Sequence, residues 1–342
     1  MRREIAEQGE TVGATLAEVR RHADDIRDAM TGRRRILLVA RGSSDNAAVY
    51  GRYLVETQLG LPASLAAASI ATHYRAHLDL SDTLCVSLSQ SGRTEEIVET
   101  QRWAASLGAA TVAISNDAGS PLAAEADVAL TTQAGEERAV PATKSYTGQL
   151  TAMAALAEAL DERGGLTPAL DRAAAEVARL ESAEDGVAHA VDVLADADDV
   201  LVTGRGLAFG TALETALKLE ETCRRPVRGL SYADLRHGPI AVVREGMIAI
   251  VVAAQDGPML EPLHDLVRDL TERGARVLTI GGDRRLATAS SYHVPGPDLT
   301  ESVAPIALVV PAQLVVEALA RRLGLDPDAP TGLSKITTTD PS

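Results

Sequence analysis

Four blocks of this 342-residue chain return in the same order some 165 positions later, and that internal repeat constrains the fold more than any single motif. ILLVA with Arg41 and Gly42 stands against VLVTG with Arg205 and Gly206, 164 positions on. LCVSLSQSG aligns with AIVVAAQDG, pairing Gln90 and Gly92 with Gln255 and Gly257 at an offset of 165. GAATVAISND at 108 to 117 aligns with GARVLTIGGD at 274 to 283, and Gln149 with Leu150 aligns with Gln313 and Leu314. Four blocks in register read as a duplication of one structural unit.

Within each copy, apolar runs of four to six residues alternate with helix-period segments, the pattern of a parallel sheet covered by helices on both faces. The expected fold class is therefore α/β, twice: two αβα sandwiches in tandem. A chain of this length also calls for two cores. The expected division is an N-terminal helix over 1–30, a first domain over 31–185, a second over 186–325 and a tail over 326–342, with the polar ESAEDG stretch as hinge.

Composition narrows the partners. Asp and Glu outnumber Lys and Arg by 48 to 33, giving a formal net charge of −15, a field that repels nucleic acid and anionic membrane surfaces. One Phe, one Trp and six Tyr leave little to stack on bases. Cys85 and Cys223 offer neither zinc spacing nor a disulfide framework. The start is a helical pattern dense in acids without the apolar stretch of a signal peptide, and no run is read as reaching the ~20 apolar residues that span a bilayer. A cytoplasmic protein is expected.

Chemistry concentrates differently in the two copies. In the first, SLSQSGRT places Ser89, Gln90, Ser91 and Thr94 where a strand feeds a helix, and RGSSDNAA places Ser43 and Ser44 at another such junction. Helix N-termini and hydroxyls together suit a phosphate, although Ser and Thr at such loops commonly serve only as helix caps. The second copy has Leu207, Ala208, Ala254, Asp256 and Met259 at the matching positions, so the turn itself does not require the hydroxyls. One phosphate site, in the first copy, is the favoured reading.

The second copy carries groups that move protons. Glu214, Lys218 and Glu221 fall on one helix face at i, i+4 and i+7, a spacing that also fits a solvated surface ion pair. His237 precedes Gly238 and Pro239, a turn that ends a helix and places the ring in a loop. Near the C-terminus, Lys335 is either part of a frayed tail or an amine able to reach back to a carbonyl substrate.

Taken in order, ARGSSDNAAVYGRYLVE, SLSQSGRTEE, AVPATKSYTGQL, LETALKLEET, LRHGP and the final LSKIT resemble the double sugar-isomerase (SIS) proteins over essentially the whole chain. Within that superfamily the chain resembles glucosamine-6-phosphate deaminases built on two SIS domains and the isomerase half of glutamine:fructose-6-phosphate aminotransferase. The resemblance implies phosphate contacts from Ser43, Ser44, Ser89, Gln90, Ser91 and Thr94, and a sugar lined by the backbone near Val140 and Ala142. It implies Glu221 as the carboxylate that carries a proton between C1 and C2. Lys218 is a further catalytic candidate beside it. His237 would assist ring opening from a neighbouring subunit of a homodimer, and Lys335 would contact or condense with the open-chain sugar. It implies neither metal nor organic cofactor.

No stretch of these residues resembles the glutaminase domain of the aminotransferase, so glutamine hydrolysis is not expected of them. RGSSDNAA, and Arg93 where the synthase usually has Glu, lean towards a deaminase. Val227 to Leu230 depart from the relatives' pattern, with Arg228 in place of Glu, which leaves open which amino-sugar phosphate is used. Alternatives are amination of fructose 6-phosphate with ammonia or a partner glutaminase, a fructosamine-6-phosphate deglycase, and a non-catalytic phosphosugar sensor.

Overall fold

The structure, a computed structural model, describes residues 1–335. The chain forms two compact units, neither of them contiguous in sequence. Of the described residues, the first unit takes Glu10–Glu137, Lys144–Asp171, Ser334 and Lys335, and the second takes Met1–Gly9, Arg138–Thr143 and Arg172–Leu333.

The first unit is built on β1 (Arg35–Val39), β2 (Ala63–Leu65), β3 (Thr83–Leu88), β4 (Ala110–Ser115) and β5 (Val128–Thr131). All neighbours pair in parallel in the order β2-β1-β3-β4-β5. Every residue of β3 and β4 is buried, which is why TLCVSL and ATVAIS read as continuous rather than alternating patterns. Helices α1 (Ser43–Leu54), α2 (Glu95–Ser106) and α3 (Lys144–Leu160) cover the sheet. On one face, Ile97, Val98 and Ala104 of α2 join Val39, Cys85 and Ala113 in a single cluster.

In the second unit β6 (Val200–Gly204), β7 (Arg228–Ser231), β8 (Ile248–Ala253), β9 (Arg276–Gly281) and β10 (Tyr292–Val294) repeat the plan, in the order β10-β9-β8-β6-β7. All are again parallel. Counted within its own copy, each sheet runs 2-1-3-4-5, so the expected duplication is present as topology. The covering helices include α4 (Phe209–Cys223), the short α5 (Tyr232–Arg236), α6 (Leu260–Glu272) and α7 (Ala304–Arg322). Leu263, Leu266, Val267 and Leu270 of α6 close over Ala249, Val251 and Ala253 of β8.

One expectation is corrected here. α7 has 19 residues and is, by length and composition, apolar enough to cross a bilayer, yet 89% of that apolar window is buried in the protein. It is a core helix whose hydropathy comes from being covered nearly all round. Cys85 and Cys223 are free and buried, and burial pushes both thiols above their usual range, which makes them poor nucleophiles.

Candidate active site

In an open parallel sheet of order 2-1-3-4-5, the chain leaves β1 and β3 in opposite directions, opening a crevice beyond their carboxyl ends. In the first unit both junctions carry hydroxyls. Gly42 turns with φ +57 into α1, and a Cβ built there would meet nothing within 4 Å. Ser43 opens the helix, half-buried. Ser44 is buried, its Oγ accepting from Gln149 Nε2 at 2.9 Å.

Beyond β3, Ser89 is fixed by its own N–H, which donates to the Ile114 carbonyl at 3.1 Å. Its Oγ accepts from the Gly92 N–H at 3.2 Å and lies 3.4 Å from the Thr94 hydroxyl. The Ser91 Oγ accepts from the Arg93 N–H at 3.2 Å, and the Gln90 carbonyl accepts from the Asn116 N–H at 3.0 Å, leaving the Gln90 side chain half-buried. Thr94 stands at the N-cap of α2 in an extended conformation, and its hydroxyl makes no capping hydrogen bond. Capping therefore does not explain this hydroxyl. Ser89 and Ser91 shape the turn, while Thr94 and the N–H groups of the first turn of α2 remain able to face an anion.

The arginines at this rim are already engaged. Arg41 forks onto Glu96 with both contacts at 3.0 Å, and Arg93 reaches Asp117 at 2.7 Å, its hydrogen bond holding that carboxyl below the usual range. The donors left at this rim are amides and hydroxyls rather than arginine side chains.

Sequence reasoning missed Glu137. Its carboxylate is buried and accepts from the Ser145 N–H at 2.9 Å, the Ser145 Oγ at 2.7 Å and the Lys335 Nζ at 2.6 Å. Burial alone would push this carboxyl up, but the Lys335 charge and these hydrogen bonds outweigh it and hold the group below the ordinary range. Lys335 is thus seated against a carboxylate, and condensation with a carbonyl would require it to leave Glu137. The signal that could have found Glu137 is the repeat itself, because Glu137 and Pro141 sit 164 positions before Glu301 and Pro305. Leu333 and Ser334 are exposed, and the last two residues of the LSKIT motif lie outside the described residues.

In the second unit the same crevice is filled. Gly206 (φ +65) and Gly257 (φ +100) take the places of Gly42 and Gly92, and a Cβ on them would come within 3.0 Å of Glu301 Oε1 and 2.1 Å of Glu301 Oε2. The Glu301 carboxyl rests on both turns, and its backbone N–H donates to Asp256 Oδ1 at 2.6 Å. Burial, with the Asp256 charge added, pushes the Glu301 carboxyl up to about 7. Two acids now stand where the first copy presents Ser91, open space over Gly42, and the Ser120 hydroxyl 2.1 Å from a Cβ built on Gly92. An anion has no place there.

α4 carries the acid-base candidates. The expectation of a solvated surface pair is overturned, since Glu214 and Lys218 are 0% and 1% exposed. Lys218 Nζ lies 3.4 Å from Glu214 Oε1 and contacts Glu221 Oε2, and the Glu221 side chain keeps 25% of its surface exposed. Burial favours the neutral amine, but the Glu214 and Glu221 carboxylates prevail and hold the Lys218 ammonium above the ordinary lysine range. Of the three, Glu221 alone keeps exposed surface.

His237 closes α5, which Ser231 caps by accepting from the Asp234 N–H at 3.1 Å. Gly238 follows with φ +121, and the imidazole is exposed with no hydrogen-bond partner among the described residues. The structure does not bring His237 and Glu221 into contact. The Val140 N–H donates to the Asp328 carbonyl at 2.9 Å, so only its carbonyl is left for a ligand, and Ala142 is half-buried. Arg228 is exposed on β7.

Residues 29–159 and 193–321 each match the SIS domain model. The isomerizing glutamine–fructose-6-phosphate aminotransferase of Aquifex aeolicus (strain VF5) is 33% identical over 344 residues, covering 99% of this chain and 58% of the relative. The chain thus spans less than two thirds of that protein's length. Among solved structures, a candidate phosphosugar isomerase from Silicibacter pomeroyi DSS-3 superposes with TM-score 0.87 at 32% identity, covering 96% of this chain and 99% of the other. The C-terminal domain of glucosamine-fructose-6-phosphate aminotransferase from Francisella tularensis does so with TM-score 0.86 at 26% identity, covering 95% and 97%.

Proposed function

The chain belongs to the SIS domain family, with two copies of the domain, and from that premise we propose that it is an amino-sugar-phosphate deaminase and isomerase converting glucosamine 6-phosphate and water to fructose 6-phosphate and ammonia. The observation that carries this reading is the asymmetry of the two crevices: one keeps hydroxyls and amides unused by capping, the other is filled by its own carboxylate.

Ser43, Ser44, Ser89, Gln90, Ser91 and Thr94 hold the phosphate with the N-terminal amides of α1 and α2. The Val140 carbonyl and the Ala142 backbone line the sugar. His237, supplied by the second subunit of a homodimer, protonates O5 as the ring opens. Glu221 then takes the proton from C2 to give an enolamine and returns it at C1, leaving a C2 imine that water hydrolyses to the ketone with release of ammonia. Lys218 supplies the positive charge beside Glu221, and Lys335 closes on the open-chain sugar. No step calls for a metal or an organic cofactor. A soluble sugar phosphate as ligand suits a cytoplasmic enzyme without nucleic-acid or membrane partners, as the net charge of −15 also does.

Incubation with glucosamine 6-phosphate should yield ammonia and fructose 6-phosphate in equal amounts, and an absence of ammonia at millimolar substrate would retire the reading. A second reading, amination of fructose 6-phosphate by ammonia or a partner glutaminase, is favoured by the name of the Aquifex relative. Turnover seen only from fructose 6-phosphate and ammonia would select it.

A further inference from the structure

The segment Arg138–Thr143 is held by a residue that no motif marks. Glu4 lies in the short helix Arg2–Ile5 and is 2% exposed, and it belongs to the same unit as Arg138–Thr143. Its Oε1 accepts two consecutive backbone N–H groups, from Arg138 at 2.6 Å and from Ala139 at 3.1 Å, while its Oε2 lies 3.4 Å from the Met1 nitrogen. The segment is tied at two further points. The Val140 N–H donates to the Asp328 carbonyl at 2.9 Å, and the Thr143 carbonyl accepts from Gln313 Nε2 of α7 at 3.3 Å.

Pro141 stiffens what lies between: its ring fixes its own φ and keeps the preceding Val140 extended. Three successive N–H groups are thus committed before the chain reaches Pro141, so the direction of the Val140 carbonyl follows from what grips residues 138 to 140. A carboxylate withdrawn from water must recover its lost hydration from donors, and hydrogen bonds to an ionised acceptor are about twice as strong as neutral ones. Two adjacent amides converging on one buried oxygen meet that need.

We propose that Glu4 is a positioning residue for the sugar: by gripping the Arg138 and Ala139 amides it aims the Val140 carbonyl and holds the Ala142 backbone against the sugar end of a sugar phosphate. The inference rests on the lining role of Val140 and Ala142 in the proposed function and deepens it. Glu4 is assigned no contact with substrate.

The test compares the full chain with Glu4→Ala, which removes the acceptor, and Glu4→Gln, which keeps a neutral acceptor of the same reach. In Glu4→Ala, KM for glucosamine 6-phosphate should rise about tenfold while kcat falls no more than about threefold, and the calorimetric affinity for fructose 6-phosphate should drop about tenfold. Inorganic phosphate, which engages only the hydroxyls and amides of the first unit, should compete within about twofold of its strength against wild type. Glu4→Gln should bring sugar-phosphate affinity back to within about threefold of wild type. Equal weakening of phosphate and sugar phosphate would mean a general loosening and overturns the proposal, as does unchanged sugar-phosphate affinity in folded Glu4→Ala.

Hydrogen exchange reads the grip directly. The Arg138 and Ala139 amides should exchange at least about tenfold faster in Glu4→Ala and about threefold faster in Glu4→Gln, so the second variant carries the test if the first does not fold. Unchanged exchange in folded Glu4→Gln overturns the inference. Wild type that binds glucosamine 6-phosphate without releasing ammonia fails the proposed reaction, and these affinities and exchange rates still decide the role of Glu4. Wild type that binds neither sugar phosphate fails both.

Discussion

The two copies of the SIS domain share strand order, positive-φ glycines at both junctions and a helix after each, yet they differ in what stands over the glycines. Above Gly42 there is open space and above Gly92 the neutral Ser120 hydroxyl, whereas the Glu301 carboxyl stands over both Gly206 and Gly257. The carboxylates at matching positions behave oppositely as well: Glu137 is drawn into a buried nest of Ser145 and Lys335, while Glu301 projects onto the turns beside Asp256. A duplicated fold has kept its backbone and divided its chemistry through a handful of side chains at the carboxyl ends of strands. Site and scaffold vary separately.

That division predicts effects that differ by copy. The largest belongs to Glu221: Glu221→Gln should lower ammonia release at least a thousandfold while calorimetry shows sugar-phosphate affinity within about threefold of wild type. Retained turnover would remove Glu221 from its role.

Next comes the packing over the glycines. Gly257→Ala sets a methyl against Glu301 in a backbone conformation that L-residues avoid, and should destabilise by about 2–3 kcal/mol in denaturant unfolding. Gly42→Ala meets only the conformational strain and should cost about 1 kcal/mol. Equal losses would mean that Glu301 does not press on its turn.

The phosphate donors should show a smaller, purely binding effect. Ser91→Ala with Thr94→Ala should weaken binding of glucosamine 6-phosphate about tenfold, near 1.4 kcal/mol, with little change in thermal stability. A loss of stability without a loss of affinity would return these hydroxyls to a structural role.

The smallest effect is the pH dependence carried by Glu301. Its folded value of about 7 lies above the ordinary 4.5, so the folded state holds this proton more tightly than the unfolded chain. Its contribution is fully present below about pH 4.5 and is lost as pH rises through about 7. The group is partly exposed, and after allowance for solvent screening Glu301→Gln should stabilise the protein by about 1 kcal/mol at pH 8 and flatten the stability profile between those values. An unchanged profile would place the Glu301 charge in solvent rather than on the turns.

Much of this was legible because a repeat acts as an internal comparison. Aligned strands give the topology, and Ser91 against Asp256 already separates a donor site from a site with none. Glu137 and Glu301 escaped notice because their register lies in loops, where no hydrophobic period marks an alignment and only Pro141 and Pro305 anchor it. The burial of Glu214 and Lys218 was hidden for another reason. Helical spacing says which side chains share a face but not what covers it, and α4 is covered by protein where a charged face is ordinarily wet. His237 was legible as a loop residue, because Gly238 and Pro239 end its helix, and its ring is exposed.

α7 has a consequence for the life of the chain outside its native state. Nineteen residues that are harmless when enclosed become, once uncovered, a segment with the length and hydropathy of a membrane span and a strong tendency to self-associate. Heating should therefore lead to precipitation rather than to a reversible melt, with inactivation following the rate at which Ala304–Arg322 is exposed. For a cell making this protein, the relevant durability is measured in half-lives, and chaperones that shield apolar helices would govern its yield.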